Sequence, residues 1–510
     1  MDFHHFLIGL QTYFTPWNLF FSFVGVFLGT IVGVLPGLGA AATIALLLPL
    51  TFRMNDVSAI IMLSGIWYGS MYGGSTTSIL LRIPGEGASI MTCVDGYEMT
   101  RKGRAGPALG IAAIGSFVAG TLSVVGLMLF APPLANFALH FGPAEYFGLG
   151  ILGLSLVTRI ASGSALKAAM MAVVGLLLGT VGIDSISGSP RLTFGSEGLL
   201  TGLDIVPIAI GLFGIAEVFG VLRGDPEMER VGKAPKGFWE LLPSRKEWGE
   251  SIPAIFRGTI VGFFLGVIPG GSATVSGFAA YAVEKRMSKQ KAEFGKGAIA
   301  GVAAPESANN SATGAGFIPL LSLGIPGNVI TALMLGALML HGVRPGPMLV
   351  EQRPDMFWGV IVSMYVGNVM LLVLNLPLIG IFTKITNVPQ HILMISIVLV
   401  SILGAYSVNN SVNDVFLALA FGVAGYFLRR GGYEEAPLLL AFILGPIVES
   451  SLRTALVLSE GSFDIFWTRP IAAVLLAAAC LINAQPILSA SLDGGKRCLA
   501  LFGLARTGHS

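Results

Sequence analysis

Long apolar runs separated by short polar connections dominate the chain. A helix needs about 20 residues to cross the hydrocarbon core of a bilayer, and we count about 12 segments of that kind. They lie near 17–35, 57–81, 107–130, 144–160, 165–182, 199–222, 252–268, 298–325, 328–343, 356–382, 391–428 and 437–490, and the last two ranges are each long enough for two segments. The pattern predicts an all-α polytopic membrane protein.

Composition agrees with that prediction. Hydrophobic residues make up 54% of the chain and charged residues only 11%, whereas soluble domains carry about 25% charged residues. The net charge of +2 gives no reason to expect a nucleic-acid partner, and lipid is the expected surrounding. Cys93, Cys480 and Cys498 are too scattered to indicate a disulfide framework or a metal site.

One charged stretch divides the chain. Residues 223–250 are rich in Lys, Arg and Glu and contain three prolines, so we predict a cytoplasmic linker by the positive-inside rule. The predicted organisation is a first transmembrane half at 1–222, this linker, a second transmembrane half at 251–490 and a C-terminal tail at 491–510.

The two halves repeat one another. Glycine recurs at every fourth position before a Pro-Gly pair in both, and an Ile-Pro-Gly unit follows each time. The matched landmarks are Gly25, Gly29, Gly33, Pro36 and Gly37, then Ile83-Pro84-Gly85, against Gly258, Gly262, Gly266, Pro269 and Gly270, then Ile325-Pro326-Gly327. We predict repeat cores at 23–130 and 256–370, with smooth glycine faces for close helix packing.

The Pro-Gly pairs predict broken or re-entrant helices, since proline lacks an N–H and glycine tolerates unusual backbone angles. Interrupted segments at matched positions of two halves indicate a transporter site, although a packing kink is the simpler alternative. In the second half, basic residues concentrate after the Pro-Gly pair, in 284–296. In the first half, they concentrate after the Ile-Pro-Gly unit, in 101–104. This opposite bias favours inverted repeats, and a parallel repeat remains open.

Helix N-termini and hydroxyl groups beside the breaks are the groups that an anionic substrate would need. The alternative for each is helix packing. The predicted substrate-binding residues are Pro36, Gly37, Gly39, Thr43, Ser75, Thr76, Pro269, Gly270, Ser272, Thr274 and Ser276. Arg82 is the basic residue beside these elements, and it could pair with substrate or with Glu86, or reach the membrane interface.

A carboxylate lies inside an otherwise uncharged stretch, 297–343. Such a group is costly in a bilayer and indicates function, although a helix-capping role is the alternative. Neighbouring amides and hydroxyls offer the oxygens that Na⁺ prefers, or else they bond between helices. The predicted coupling-ion residues are Glu306, Ser307, Asn309, Asn310, Ser311 and Thr313.

Catalytic motifs do not emerge from the sequence. Gly37-Leu-Gly39-Ala-Ala-Ala42 fits a loose dinucleotide fingerprint, but an apolar membrane segment precedes it instead of a strand. The sequence has no Walker loop, H-E-x-x-H or G-x-S-x-G motif. We therefore expect neither an enzyme nor a cofactor, and no metal beyond a possible Na⁺. A passive channel or a membrane scaffold is the alternative to a transporter.

Several motifs resemble the large membrane subunit of the tripartite tricarboxylate transporters (TctA-type), over the chain to about residue 460. They are Gly33-Val-Leu-Pro-Gly-Leu-Gly39, Tyr68-Gly-Ser-Met-Tyr-Gly-Gly-Ser75, Ile83-Pro-Gly-Glu86, Gly266-Val-Ile-Pro-Gly-Gly271, Ala304-Pro-Glu-Ser-Ala-Asn-Asn-Ser-Ala-Thr313 and Leu323-Gly-Ile-Pro-Gly327. The resemblance implies a multi-pass permease of the bacterial inner membrane, driven by a Na⁺ or H⁺ gradient. It also implies a small membrane subunit, a periplasmic solute-binding protein and a carboxylate substrate such as citrate.

Overall fold

The computed structural model describes residues 3–35, 39–160, 164–184, 186–221, 237–385 and 390–484. The part before residue 222 contains ten α-helices and a short hairpin. These are α1 (Phe3–Tyr13), α2 (Pro16–Val34), α3 (Ala40–Leu47), α4 (Asp56–Leu81), α5 (Ile90–Arg101), α6 (Ala105–Ala138), α7 (Pro143–Ile160), α8 (Ala165–Gly179), β1 (Gly182–Ile183), β2 (Pro190–Arg191), α9 (Ile205–Ala209) and α10 (Ala216–Val221). A π-helical turn at Ile210–Ile215 joins α9 to α10.

The described part after residue 236 is also helical. Its elements are α11 (Arg245–Val267), α12 (Ala273–Met287), α13 (Ala300–Ala315), α14 (Phe317–Leu323), α15 (Val329–Leu340), α16 (Leu349–Gln352), α17 (Pro354–Asn375), α18 (Ile379–Ile385), α19 (Gln390–Asn409), α20 (Val412–Arg430), α21 (Glu435–Leu458) and α22 (Ile465–Thr468). A last apolar helical segment lies at Pro470–Ala484. Short 3₁₀ turns lie at Leu48–Arg53, Gly87–Ser89, Glu197–Leu199, Phe238–Leu241 and Lys291–Glu293.

The fold is that of an all-α polytopic membrane protein. Within the described ranges, six helices are long and apolar enough to cross a membrane, namely α2, α6, α11, α17, α20 and α21. Seven further apolar helical segments are shorter. The 26-residue α4 and the buried α13 belong to neither group, so the figure of about 12 spans stays a prediction.

Glycines bring α2 against α4 and α11 against α13. A Cβ atom on Gly29 would lie 2.4 Å from the carbonyl oxygen of Ile66, and one on Gly262 would lie 2.1 Å from that of Ala308. The neighbouring glycines of each series make the same contact with residues one turn along the partner helix. Each pair therefore runs parallel, with the two backbones in direct contact.

The helices of the two halves cross in opposite directions where they meet. Ser75 of α4 contacts Glu306 of α13, while the ring of Trp67, two turns earlier, lies 5.2 Å from that of Phe317 of α14 in a tilted aromatic contact. These contacts make α4 antiparallel to α13–α14. Between α6 and α17, the Tyr365 hydroxyl lies 3.1 Å from the sulfur of Met128, and Asn368 covers Gly120, so this pair is antiparallel as well.

The halves also exchange packing partners. The short helix α12 packs against the turn at Gly87–Ser89 and against α5, which follow the first Ile-Pro-Gly unit. In the other direction, α15, which follows the second Ile-Pro-Gly unit, packs against α3. Each half thus covers the short helix of the other, and separating them would expose both short helices.

Of the two predicted breaks, the structure describes only the second. The chain is described up to Leu35 at the end of α2 and again from Gly39, so Pro36 and Gly37 lie outside the described residues. Between α11 and α12, Gly270 has φ +85, and its N–H donates to the carbonyl oxygen of Gly327 (2.7 Å). The second Ile-Pro-Gly unit therefore closes onto the second break.

The predicted domain limits fall partly outside the structure. Of the linker at 223–250, only residues from 237 are described, and α11 already begins at Arg245. The Ser244 hydroxyl accepts from the N–H of Glu247 and the Glu247 carboxylate accepts from that of Ser244, a capping box that fixes this start. The tail at 491–510 lies outside the described residues.

A charged cluster attaches the β1–β2 hairpin to α21. Arg453 donates to Asp184 (2.8 Å) and Arg191 pairs with Glu449 (2.7 Å). The Ser187 hydroxyl, followed by Arg453, lowers the pKa of Asp184 below its usual range. Every charge in this cluster has an opposite partner, so its role is to hold the connection between α8 and α9.

Asp95 of α5 fastens the loop that precedes α13. Its fully buried carboxylate accepts from the backbone N–H groups of Gly295, Gly297 and Ala298 at 2.8 to 2.9 Å. The Tyr281 hydroxyl of α12 donates to the other oxygen (2.8 Å). One side chain of the first half thus orders a loop of the second half.

We expect Gly262→Leu to destabilise the protein, because the new side chain would force α11 away from α13. Overpacking of this kind costs about 1–3 kcal/mol. Gly249→Leu is the matched control, since a Cβ on Gly249 of the same helix meets no atom within 4 Å. The measurement is the thermal unfolding midpoint in detergent, and equal midpoints for the two variants would contradict the packing described for α11.

We expect Asp95→Asn to loosen the loop at 288–299, because the amide cannot accept all four hydrogen bonds. Hydrogen bonds to charged groups each contribute about 1.5–3 kcal/mol. The readout is faster tryptic cleavage after Lys291 or Lys296. Glu98→Gln on the same helix is the control, since Glu98 pairs only with the exposed Arg101 in the described contacts. Unchanged cleavage in Asp95→Asn would show that the loop is held by other contacts.

Candidate ion and substrate site

The carboxylate of Glu306 lies at the contact between the two halves. It belongs to α13, where every residue is buried, and its own exposed fraction is 0%. The Ser75 hydroxyl of α4 donates to Oε2 (2.6 Å) and the Thr92 hydroxyl of α5 donates to Oε1. The Asn309 amide donates to Oε2 (3.3 Å). Among the described residues, all the hydrogen-bond donors to this carboxylate are neutral.

Asn310 extends this network to α6. Its Nδ2 donates to the Ser116 hydroxyl (2.7 Å), to Oδ1 of Asn309 (2.6 Å) and to the Glu306 carbonyl oxygen (3.1 Å). Glu306, Asn309 and Asn310 therefore form one connected group with hydroxyls from three helices of the first half. The Ala304–Thr313 motif supplies the carboxylate and the two amides from one helix. The hydroxyl groups come from α4, α5 and α6, which pack against α13.

The other predicted coupling-ion residues point elsewhere. The Ser311 hydroxyl donates to the Thr259 carbonyl oxygen of α11 (2.8 Å), and the Thr313 hydroxyl donates to the Asn309 carbonyl oxygen (2.9 Å). The Ser307 oxygen faces Gly115 of α6, where a Cβ would approach it to 3.0 Å. In this structure the three side chains serve helix packing and do not contact the Glu306 carboxylate.

Ser75 and Thr76, which the sequence places in the substrate set, lie beside the Glu306 network. Both line a small cavity with Tyr72, Ser116 and Asn375. Ser75 both lines this cavity and donates to Glu306. Its predicted role in substrate binding stays a prediction.

The N-terminus of α3 already holds a carboxylate. Oε1 of Glu86 accepts from the N–H of Ala40 (2.6 Å), while Oε2 would lie 3.0 Å from a Cβ on Gly39. The Thr43 hydroxyl donates to the Gly39 carbonyl oxygen (3.1 Å). The N-terminus at which sequence predicts an anionic substrate therefore binds an anionic group, supplied here by the protein itself.

The second break presents its own N-terminus at α12. The Ser272 hydroxyl caps this helix by accepting from the N–H of Val275 (3.2 Å), and the Ser276 hydroxyl donates to the Ser272 carbonyl oxygen (2.9 Å). The Thr274 hydroxyl would lie 3.2 Å from a Cβ on Gly87, the residue after Glu86. The start of α12 and the carboxylate at α3 are therefore neighbours through the loop at 86–87.

Sequence reasoning missed the partners that come from other segments. Thr92, Ser116 and Asn375 occur in ordinary helix surroundings, and no motif distinguishes them. At the level of the sequence, Glu86 stands out only as a possible partner of Arg82 and within the Ile-Pro-Gly-Glu motif, although a carboxylate directly after a break is a usable signal. Arg82 adopts a left-handed backbone conformation at the end of α4 and lies 5.7 Å from the ring centroid of Tyr97, in a cation–π contact.

Comparison with known proteins places these features in a family. A protein of Agrobacterium vitis described as "Uncharacterized 52.8 kDa protein in TAR-I ttuC' 3'region" is 50% identical over 479 residues, which cover 94% of this chain and 95% of that protein. An "Uncharacterized protein in TAR-II ttuC' 3'region" of the same organism is 50% identical over 225 residues, which cover 44% of this chain and 93% of that protein. No solved structure matches the chain. The model of the tripartite tricarboxylate transporter TctA family matches residues 19–440, and the chain belongs to that family.

Proposed function

We propose that this chain is the substrate-translocating permease of an ion-gradient-driven carboxylate transporter. The observation that carries the proposal is the buried Glu306 carboxylate, which neutral donors from α4, α5 and α13 hold at the contact between the halves. A buried carboxylate without a bound cation is expensive in a membrane, so a Na⁺ ion or a proton would stabilise it. Its position lets ion binding affect how the halves fit together.

The substrate carboxylate would bind where Glu86 now lies, at the N-terminus of α3. Backbone N–H groups there face a negative group, and the helix dipole favours it. Glu86 is on a loop next to the start of α12, so a substrate that displaced it would lie between the two breaks. The predicted residues Gly39, Thr43, Ser272, Thr274 and Ser276 would line that space, and Pro269 and Gly270 lie at the second break, between α11 and α12. Pro36 and Gly37, which lie outside the described residues, stay predicted substrate-binding residues.

The two halves would act as inverted repeats. The antiparallel contacts of α4 with α13 and of α6 with α17 support this relation, as do the matched glycine contacts within each half. In such a protein, movement of one unit against the other exposes a central site to either side of the membrane in turn. Because α12 packs against the first half and α15 packs against α3, movement at one break would be transmitted to the other.

Membership in the family supports two partners and a location. The chain would accept substrate from a periplasmic solute-binding protein and would function with a small membrane subunit in the bacterial inner membrane. Its substrate would be a carboxylate of the tricarboxylate type, such as citrate. Binding-protein selectivity would then determine which carboxylate is transported.

The test is uptake by proteoliposomes that contain this chain and the small subunit. We expect radiolabelled citrate or a related carboxylate to accumulate above its outside concentration only when a Na⁺ or H⁺ gradient and the binding protein are both present. An ionophore that collapses the driving gradient should abolish accumulation. Equilibration without accumulation, independent of any gradient, would instead establish a passive channel and refute the proposal.

We expect Glu306→Gln to reduce gradient-driven uptake at least tenfold, because the amide can neither take a proton nor neutralise a cation. Ser116→Ala should reduce uptake less, since it removes a neutral partner of Asn310 and leaves the carboxylate in place. Ser123→Ala is the matched control on α6, since its hydroxyl donates only to the Gly120 carbonyl oxygen (2.8 Å). Membrane insertion and thermal stability should be retained, and wild-type uptake by Glu306→Gln would remove the carboxylate from the mechanism.

A further inference from the structure

Among the buried side-chain oxygen atoms that have no hydrogen-bond partner in the described residues, two line the same cavity beside the Glu306 network. They are the Tyr72 hydroxyl of α4 and Oδ1 of Asn375 at the end of α17, and the exposed fraction of each residue is 3%. Both residues line the cavity that Ser75, Thr76 and Ser116 complete. Buried polar atoms are almost always satisfied in proteins, so two orphans in one cavity point to an occupant that supplies the missing contacts.

The hydrogen bond of Asn375 determines which atom of its amide group is left without a partner. Its Nδ2 donates to the Leu371 carbonyl oxygen (3.0 Å), which can only accept. The amide therefore cannot be turned around without placing two acceptors against each other, and Oδ1 is left without a partner. The polar side chains of the cavity wall then offer three hydroxyl groups and a phenol besides this amide oxygen.

The cavity has room for one small occupant. About 10 Å³ is open to the centre of a water-sized sphere, which corresponds to about one such sphere. A single dehydrated Na⁺ fits into that space, and hard cations take oxygen ligands from hydroxyls and amides. The remaining wall is formed by the apolar side chains of Leu109, Ala112, Ala113 and Ile379.

Charge favours a cation over a water molecule. Ser75 donates to Oε2 of Glu306 (2.6 Å) and also lines the cavity, so a bound cation would lie one hydroxyl group away from a buried carboxylate. The pair would be neutral as a whole, and both desolvation costs would fall. A water molecule would satisfy the orphan atoms but would leave the carboxylate uncompensated.

We propose that the cavity between Tyr72, Ser75, Thr76, Ser116 and Asn375 binds one Na⁺ ion, with Glu306 as its nearby counter-charge. This inference rests on the proposed function and adds to it the ion and the place where the ion binds. The ligands come from α4 and α6 of the first half and α17 of the second. Binding of the ion therefore ties the halves together, and its release frees them to move.

The experiment measures Na⁺ binding directly on the purified, detergent-solubilised chain without substrate. We expect saturable binding of ²²Na⁺, in competition with unlabelled Na⁺ but not with choline, which is too large for the cavity. We also expect Na⁺ to raise the thermal unfolding midpoint relative to choline at equal ionic strength. Asn375→Leu and Tyr72→Phe should each weaken Na⁺ binding at least tenfold while keeping the midpoint in choline.

Tyr68→Phe is the matched control. Tyr68 is a buried tyrosine one turn earlier on α4, and it packs against Phe317 instead of lining the cavity. Its substitution should leave ²²Na⁺ binding unchanged. If Asn375→Leu is poorly folded, Tyr72→Phe still tests the site, because it removes one oxygen and keeps the ring.

The outcomes separate this inference from the proposed function. Absence of ²²Na⁺ binding, or binding that survives both cavity variants, would refute the proposal that the cavity binds Na⁺. The proposed permease function would still hold in that case if the protein showed H⁺-driven uptake. Saturable binding that both variants remove supports the site. If such binding occurs in a chain that never accumulates carboxylate, the site stands and the proposed function falls.

Discussion

Burial of the Glu306 carboxylate at the contact between two antiparallel helix systems is the constraint on which the rest of the structure depends. A carboxylate taken out of water loses several kcal/mol of hydration that its surroundings must replace. Here Ser75, Thr92 and Asn309 replace part of it with neutral hydrogen bonds. Neutral donors leave the charge itself uncompensated, and that residual cost is what a cation or a proton can remove. A cationic side chain in the same place would have cancelled it permanently.

Close backbone packing makes this arrangement possible. Gly25, Gly29 and Gly33 let α4 lie directly on α2, and the second glycine series does the same for α13 on α11. Lipid does not drive apolar helices together as water does, so van der Waals contact between smooth faces is the main attraction available. Because α4 and α13 are each supported from behind, their polar faces are presented to one another at fixed distance. The carboxylate network therefore depends on residues that have no side chain of their own.

The sequence predicted the parts of this structure that are local. Apolar runs gave α2 to within about one residue at each end, whereas α6 ends later, α11 begins earlier and α17 ends earlier than predicted. The glycine series indicated which faces pack closely. The motif around Glu306 identified the buried carboxylate, because a charge within a long apolar stretch is conspicuous. Which side chains surround it was not predictable, since Thr92 and Ser116 lie far away in the chain and have ordinary neighbours. The contact between Ser75 and Glu306 was not predictable for the same reason, since it follows from the crossing of α4 and α13 and not from the motif that contains Ser75.

Two carboxylates therefore have different relations to the fold. Glu306 is on a helix, fully buried, and held by donors on three elements, so it cannot leave its place without disrupting the contact between the halves. Glu86 is on a loop, and its contacts to Ala40 and Gly87 are hydrogen bonds from backbone N–H groups that any carboxylate could accept. A fixed group suits an ion that must be bound in every cycle, whereas a replaceable one suits a site that must be closed when substrate is absent. The loop at 86–87 also contacts the start of α12. Displacement of Glu86 would therefore change contacts at the start of α3 in the first half and at the start of α12 in the second.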